Sequence, residues 1–246
     1  MNVVTSDGLQ WAMDGPQTDD HLGPAGHEAN LEPLLRGLLG QGRLFLDVGA
    51  HVGRWSLRLA GQASHVIAVE ANPVTAVMLR ENIRLNGLEE KVTVLEVAAW
   101  DCRASLRLED PNGKVRGGST RVLPGGEETA AIPLDEALNL TGQDLGLVKL
   151  DVEGADLHAL RGMRALLTDH RPSMLVERHD QYGYYKVEDL YELLASLGYE
   201  WTDGPEYMGA KYLICQPEEM PARLTGHGGL HGPGLGVHLP RIGHRR

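Results

Sequence analysis

The sequence predicts an α/β fold built on a doubly wound, mostly parallel sheet of seven strands, with an antiparallel hairpin at one edge. Three observations carry this. The chain has 246 residues, 42% of them hydrophobic, enough for one large core. Between residues 43 and 197, five short apolar runs alternate with stretches of helical period, the pattern of a parallel sheet covered on both faces. Beyond them, extended pieces near 199–202 and 211–215 are close enough in sequence to pair antiparallel at the sheet edge.

Residues 1–25 are rich in Gly, Pro, Asp and Thr without a sustained period, which predicts a flexible N-terminal extension or lid and no core element. Leu31, Leu34, Leu35, Leu38 and Leu39 then recur at helical spacing after a candidate Asn30 cap, and Gly40 and Gly42 end that helix. RLFLDV at 43–48 reads as the first strand, 54–61 as a helix and HVIAVE at 65–70 as the second strand. Pro73 opens a helix carrying Val74, Val77, Met78 and Leu85, which Asn86-Gly87 closes before a third strand, VTVLEV, at 92–97. Residues 101–133 alternate and turn on PNGK and PGGE, as an inserted hairpin or flap does. LVKLD at 147–151, a helix over 156–167, SMLVE at 173–177 and a helix over 187–197 resume the pattern, and the domain so defined spans 26–216. Residues 217–246 lack apolar periodicity and are expected to be a disordered tail, whose histidines 227, 231, 238 and 244 are spaced too widely for one coordination geometry.

The formal charge of −11 opposes phosphate backbones and anionic lipid, so the expected partner is a small molecule or another protein, with no nucleic acid and no membrane; a homo-oligomer is compatible. No apolar run approaches the ~20 residues of a membrane span. The N-terminus MNVVTSDGLQ has neither a basic n-region nor an apolar h-region, so the expectation is an unprocessed, cytoplasmic chain. Cys102 and Cys215 cannot build a disulfide framework and read as two small, semi-buried residues.

The segment richest in chemistry is LFLDVGAHVG at 44–53. Its strand delivers Asp47 to the carboxyl end, Gly49 allows a tight turn against a ligand, and Gly53 lets the next helix pack closely. The spacing D-x-G-x-x-x-G is not the G-x-G-x-x-G of dinucleotide binders, and an acidic group there opposes a pyrophosphate. It suits the ammonium and sulfonium of S-adenosylmethionine (SAM); Asp47 as a plain helix cap is an equal alternative for this segment taken alone. Glu70 ends the second strand, where a carboxylate can accept both hydrogen bonds of a ribose diol.

DVGAHVG at 47–53, VEANP at 69–73, ENIRLNGL at 81–88 and above all VKLDVEGADLHALRGM at 148–163 resemble the FkbM-type SAM-dependent methyltransferases, over about residues 26–216. The resemblance implies a class I, Rossmann-like methyltransferase fold, SAM as cofactor and a hydroxyl acceptor. It carries SAM contacts to Asp47, Gly49, Gly53 and Glu70, with 98–100, beginning at Ala98, near the adenine; His51, Asn72 and Asp151 complete the candidate cofactor set. His51 stands where the family usually has Asn, and the tail beyond Cys215 lies outside the pattern.

Asp151 emerges at the carboxyl end of the fourth strand, beside the first in a doubly wound sheet, and so faces the ligand crevice. Methyl transfer to a neutral hydroxyl needs in-line positioning and a base, for which Asp151, Glu153 and His179 are the candidates. His179 follows the fifth strand, and an unperturbed imidazole suits a base, though an exposed loop histidine is an equal reading. A metal-assisted version, with Asp151, Glu177 and His179 on a divalent cation, ranks behind general-base catalysis, and no metal ligand is assigned. Tyr182, Tyr184 and Tyr185 are candidates for an acceptor pocket or for ordinary loop packing. The expected function is O-methylation of a small-molecule or glycan-like hydroxyl. The alternatives are a non-catalytic SAM-binding module and an NAD-dependent oxidoreductase, the latter opposed by the missing G-x-G-x-x-G.

Overall fold

The computed structural model describes residues 2–13, 28–109, 121–122, 127–206, 209–219 and 236–237. The chain opens with a hairpin, β1 (Asn2–Ser6) and β2 (Leu9–Met13), followed by α1 (Glu32–Leu39). The first half of the sheet is β3 (Leu44–Val48), α2 (Arg54–Leu59), β4 (Val66–Val69), α3 (Pro73–Leu85) and β5 (Val92–Leu95). An inserted region holds β6 (Ala98–Ala99), β7 (Ala104–Glu109), β8 (Arg121–Val122) and β9 (Glu127–Ile132), then α4 (Leu134–Ala137) and β10 (Leu138–Asn139). The second half is β11 (Leu145–Leu150), α5 (Asp156–Arg161), α6 (Arg164–His170), β12 (Ser173–Arg178), α7 (Val187–Ser196), β13 (Tyr199–Asp203) and β14 (Lys211–Pro217). A short β15 (Gly236–Val237) pairs antiparallel with β10.

The main sheet has seven strands in the order β13-β14-β12-β11-β3-β4-β5. The five expected strands are parallel, and β14 lies between β12 and β13, antiparallel to both. Strands β3, β4 and β11 are buried along their whole length, which is why they read as unbroken apolar runs: helices cover both faces. The period of two sorts their side chains into two cores. Leu44, Leu46 and Val48 join the layer that includes Leu160, Leu190 and Leu194, while Phe45 packs with Leu35, Leu39 and Trp55. Strand order reverses between β3 and β11, so a crevice opens beyond their carboxyl ends.

Three expectations need correction. Residues 2–13 are not a coreless extension: Trp11 and Ala12 are fully buried, Ala12 N donates to Asn82 Oδ1 (2.8 Å), and Asn86 bonds both the N–H and the carbonyl of Gln10. The two asparagines of the ENIRLNGL segment thus hold β2 against α3. Residues 14–25 lie outside the described residues. The helix expected over 156–167 is two helices, α5 and α6. The second starts afresh because the Asp135 carboxylate accepts from Ala165 N and Leu166 N (both 2.9 Å), supplying an N-terminal cap from α4. Cys215 is in the core, whereas Cys102 is exposed. Of the expected disordered tail, all but 217–219 and β15 lies outside the described residues. No helix among the described residues is long and apolar enough to cross a membrane.

Candidate active site

The turn after β3 is shaped by what it must approach. Gly49 has φ +84°, and a Cβ built on it would lie 1.7 Å from the Asp151 carbonyl oxygen, so the backbones at the ends of β3 and β11 meet there with no room for a side chain. Gly49 N and Ala50 N both donate to the Val69 carbonyl (2.9 Å), and His51 N donates to Glu70 Oε2 (2.8 Å), tying the turn to the end of β4. Two residues expected to touch the cofactor do not line the cleft. Asp47 lies inside β3, enclosed by α2, where its Oδ2 accepts from Ser56 Oγ (2.7 Å); burial raises its pKa although Lys149 and Ser56 work the other way. Gly53 serves helix packing, since a Cβ there would sit 2.6 Å from Leu79 Cδ1 and 2.7 Å from Leu57 Cδ1.

Gly49, His51, Glu70, Asn72, Ala98 and Asp151 do line a common cleft, which encloses about 1170 Å³ of empty space, open solvent included. Glu70 sits one residue beyond β4 with Oε1 accepting from Asn72 N (2.9 Å). Burial pushes its carboxyl up to about 7 despite the two backbone donors. Asn72 Oδ1 caps α3 through Val74 N (3.0 Å), which fixes the cleft edge beside Glu70. The apolar wall comes from Val97, Ala98, Ala99 and Trp100, with Leu108 and Val122 from the insertion.

At the end of β11, Asp151 Oδ2 pairs with Lys149 Nζ at 2.9 Å. Burial opposes the Asp151 charge, but Lys149 and His179 outweigh it and hold the carboxyl below its usual range. Burial likewise disfavours the Lys149 ammonium, and Asp151, Glu28, Asp47 and Glu177 reverse that effect. Glu177 is pushed up to about 8 by burial and by the Asp151 charge. His179 is not an exposed loop residue. It is buried, with Nδ1 3.1 Å from Asp156 Oδ1 and Tyr182 stacked on its ring, and Tyr182 Oη donates to Glu153 Oε2 (2.8 Å). Burial works against the imidazolium, but Asp156 and the nearby carboxylates raise the pKa to about 9, so His179 stands protonated at neutral pH and is a poor general base in the ligand-free protein.

A second cavity adjoins the first and shares Trp100, Val122, Glu153 and Ala155 with it. Its remaining lining includes His158, Arg161, Tyr184 and Tyr185. Trp100 and His158 stack at 3.8 Å between ring centroids, and His158 Nδ1 lies 2.8 Å from Asp101 Oδ2. Three further charged groups complete the first cleft. Lys149 is a cation inside an apolar strand, a visible anomaly that Asp151 explains. Glu28, which accepts from Trp55 Nε1 (3.0 Å) and from Tyr212 Oη, and Arg54 at the start of α2 also line the cleft, and nothing in their local sequence marks them.

The doubly wound sheet, with β14 inserted antiparallel between β12 and β13 and a cleft that joins a glycine turn to a carboxylate at the next strand end, has the class I, Rossmann-like methyltransferase architecture. The chain belongs to the FkbM methyltransferase family: the model of the methyltransferase FkbM domain matches residues 47–201. The FkbM methyltransferase of Methylobacillus flagellatus KT shares the fold over 74% of this chain, with a TM-score of 0.54 and 18% identity, and the chain spans 45% of that protein's length. Precorrin-6y C5,15-methyltransferase from Geobacter metallireducens GS-15 aligns with a TM-score of 0.49 at 16% identity, covering 78% of this chain and 87% of its own. A putative O-methyltransferase from Klebsiella pneumoniae gives 0.49 at 15% identity over 86% and 84%. Comparison with curated proteins gives no match.

Proposed function

We propose that the protein binds SAM in the first cleft and methylates a hydroxyl oxygen of a small-molecule or glycan-like acceptor held in the second. The observation that carries this is the meeting of the two cavities at Glu153 and Trp100, with Glu70 lining the first and not the second. The residues fit the cofactor. Each Glu70 oxygen accepts one backbone N–H and retains lone pairs for a ribose diol. The wall from Val97 to Trp100 offers an apolar slot for a base, and Arg54 brings positive charge toward an amino-acid carboxylate. SAM supplies an electrophilic methyl group on a sulfonium. The Asp151 carboxylate, held ionised by Lys149, faces that positive charge without being a strong base. Glu153 is the group within reach of both cavities, and it accepts the acceptor's hydroxyl proton while Tyr182 holds its orientation. The Trp100–His158 stack gives the acceptor a flat surface to lie against.

The test is release of S-adenosylhomocysteine from SAM in the presence of hydroxylated small molecules and sugars. Acceptor-dependent release with methylation at oxygen supports the reading. SAM binding without release for any acceptor makes the chain a SAM-binding module instead, and methylation only at nitrogen or carbon removes the hydroxyl assignment.

A further inference from the structure

We propose that Asp151, Glu177 and His179 form a binding site for a divalent cation, of the Mn²⁺ or Mg²⁺ kind, on the floor of the cleft. The three side chains come from the carboxyl ends of the neighbouring strands β11 and β12, and one donor atom from each lies within 4.8 Å of the others. His179 Nε2 stands 3.7 Å from Asp151 Oδ1 and 3.6 Å from Glu177 Oε1. Ligands placed roughly 2.1 Å from one ion are themselves about 3 to 4 Å apart, so these separations suit a shared ion.

Gathered carboxylates alone would say little, and the histidine is the independent sign. His179 is 1% exposed, and among the described residues its Nε2 has no hydrogen-bond partner although it points at the carboxylates. Its other nitrogen meets Asp156, a fully buried carboxylate. Asp156 keeps the Nδ1 proton on its side, so a cation that displaces the Nε2 proton meets a lone pair aimed at the two carboxylates, the arrangement of metal-ligating histidines. Asp151 divides its oxygens in a compatible way, Oδ2 to Lys149 and Oδ1 toward His179. One imidazole with two carboxylates is a donor set of mostly hard oxygens, which favours Mn²⁺ or Mg²⁺ over thiophilic ions. Asp151 and Glu177 line the cleft, so an ion between them keeps an open position toward the acceptor. Such an ion can hold the acceptor hydroxyl and lower its pKa, while Glu153, 3.8 Å from His179 Nε2, remains beside it to receive the proton. The role given to the ion rests on the proposed hydroxyl methylation; the binding itself does not.

The experiment titrates Mn²⁺ into the full chain, read by calorimetry and by loss of the free Mn²⁺ electron paramagnetic signal. The expected result is saturable binding of one ion per chain, weakened at least tenfold by Glu177→Gln and by His179→Ala, with cooperative melting retained in Glu177→Gln. Absence of saturable binding to the wild-type chain overturns the site, and so does binding that Glu177→Gln leaves unchanged. S-adenosylhomocysteine is titrated into the same sample. Its binding without Mn²⁺ binding rejects the metal alone, and Mn²⁺ binding without it rejects the methyltransferase reading alone.

Discussion

Replacing Gly49 by alanine tests whether the cleft is set by the contact between the ends of β3 and β11. The added Cβ would fall 1.7 Å from the Asp151 carbonyl oxygen, so one of the two backbones must move by about 1 Å or more. A non-glycine residue at φ +84° adds strain of about 1–2 kcal/mol, and forced displacement in a packed region adds about 1–3 kcal/mol, for a total of about 2–5 kcal/mol. Gly87 is the matched control, because it also has positive φ (+63°) but a Cβ there meets nothing within 4 Å. Gly87→Ala should therefore cost only the strain, about 1–2 kcal/mol. Urea unfolding of both variants, with unchanged m-values, measures the difference. Gly49→Ala should also weaken S-adenosylhomocysteine binding, since the turn carries His51 N to Glu70. Equal destabilisation by the two substitutions would refute the steric argument and the close approach on which the cleft depends.

Trp11→Ala should destabilise the fold by about 3–5 kcal/mol in a denaturant titration, as loss of a fully buried aromatic does; a change below about 1 kcal/mol would mean that the N-terminal hairpin does not dock on α3. Burial lifts the Glu70 carboxyl from 4.5 to about 7, so the folded state holds a proton that the unfolded chain has released, and this contribution to stability is lost as pH rises from 4.5 through 7. Ligand affinity should run the other way, rising between pH 6 and 8 as Glu70 ionises to accept the ribose; affinity that Glu70→Gln leaves equally pH-dependent would assign the effect to another group. Asp151→Asn should lower turnover about a hundredfold with a verified acceptor, because it removes the charge facing the sulfonium, while circular dichroism stays unchanged; full activity would remove Asp151 from the chemistry.

The sheet was legible because β3, β4 and β11 are buried on both faces and carry no alternation to obscure them. Its reversal point then located the crevice, and Glu70 and Asp151, each one residue beyond its strand, both face it. Asp47 was harder because it lies within the strand, where α2 can enclose it, and its type and position resemble those of a true cleft carboxylate. The N-terminal hairpin carried a signal, the Asp7-Gly8 pair with both residues at positive φ, as a type I′ turn requires. Its strands hide it, since Val3 and Val4 are exposed while full burial falls on the adjacent Trp11 and Ala12, with Leu9 partly buried, so no alternation stands out. His179 could not be distinguished from a loop histidine by sequence because its burial depends on Asp156 and Tyr182, which meet it only in the folded chain.

Calorimetry with S-adenosylhomocysteine and NAD on the same preparation decides whether the cleft between Gly49, Glu70 and Asp151 is a SAM site. S-adenosylhomocysteine should bind more tightly than NAD, and Glu70→Ala should weaken it at least tenfold through loss of the ribose contacts, about 1.4 kcal/mol or more. Tighter binding of NAD, or an affinity for S-adenosylhomocysteine that Glu70→Ala does not change, would contradict a SAM site there.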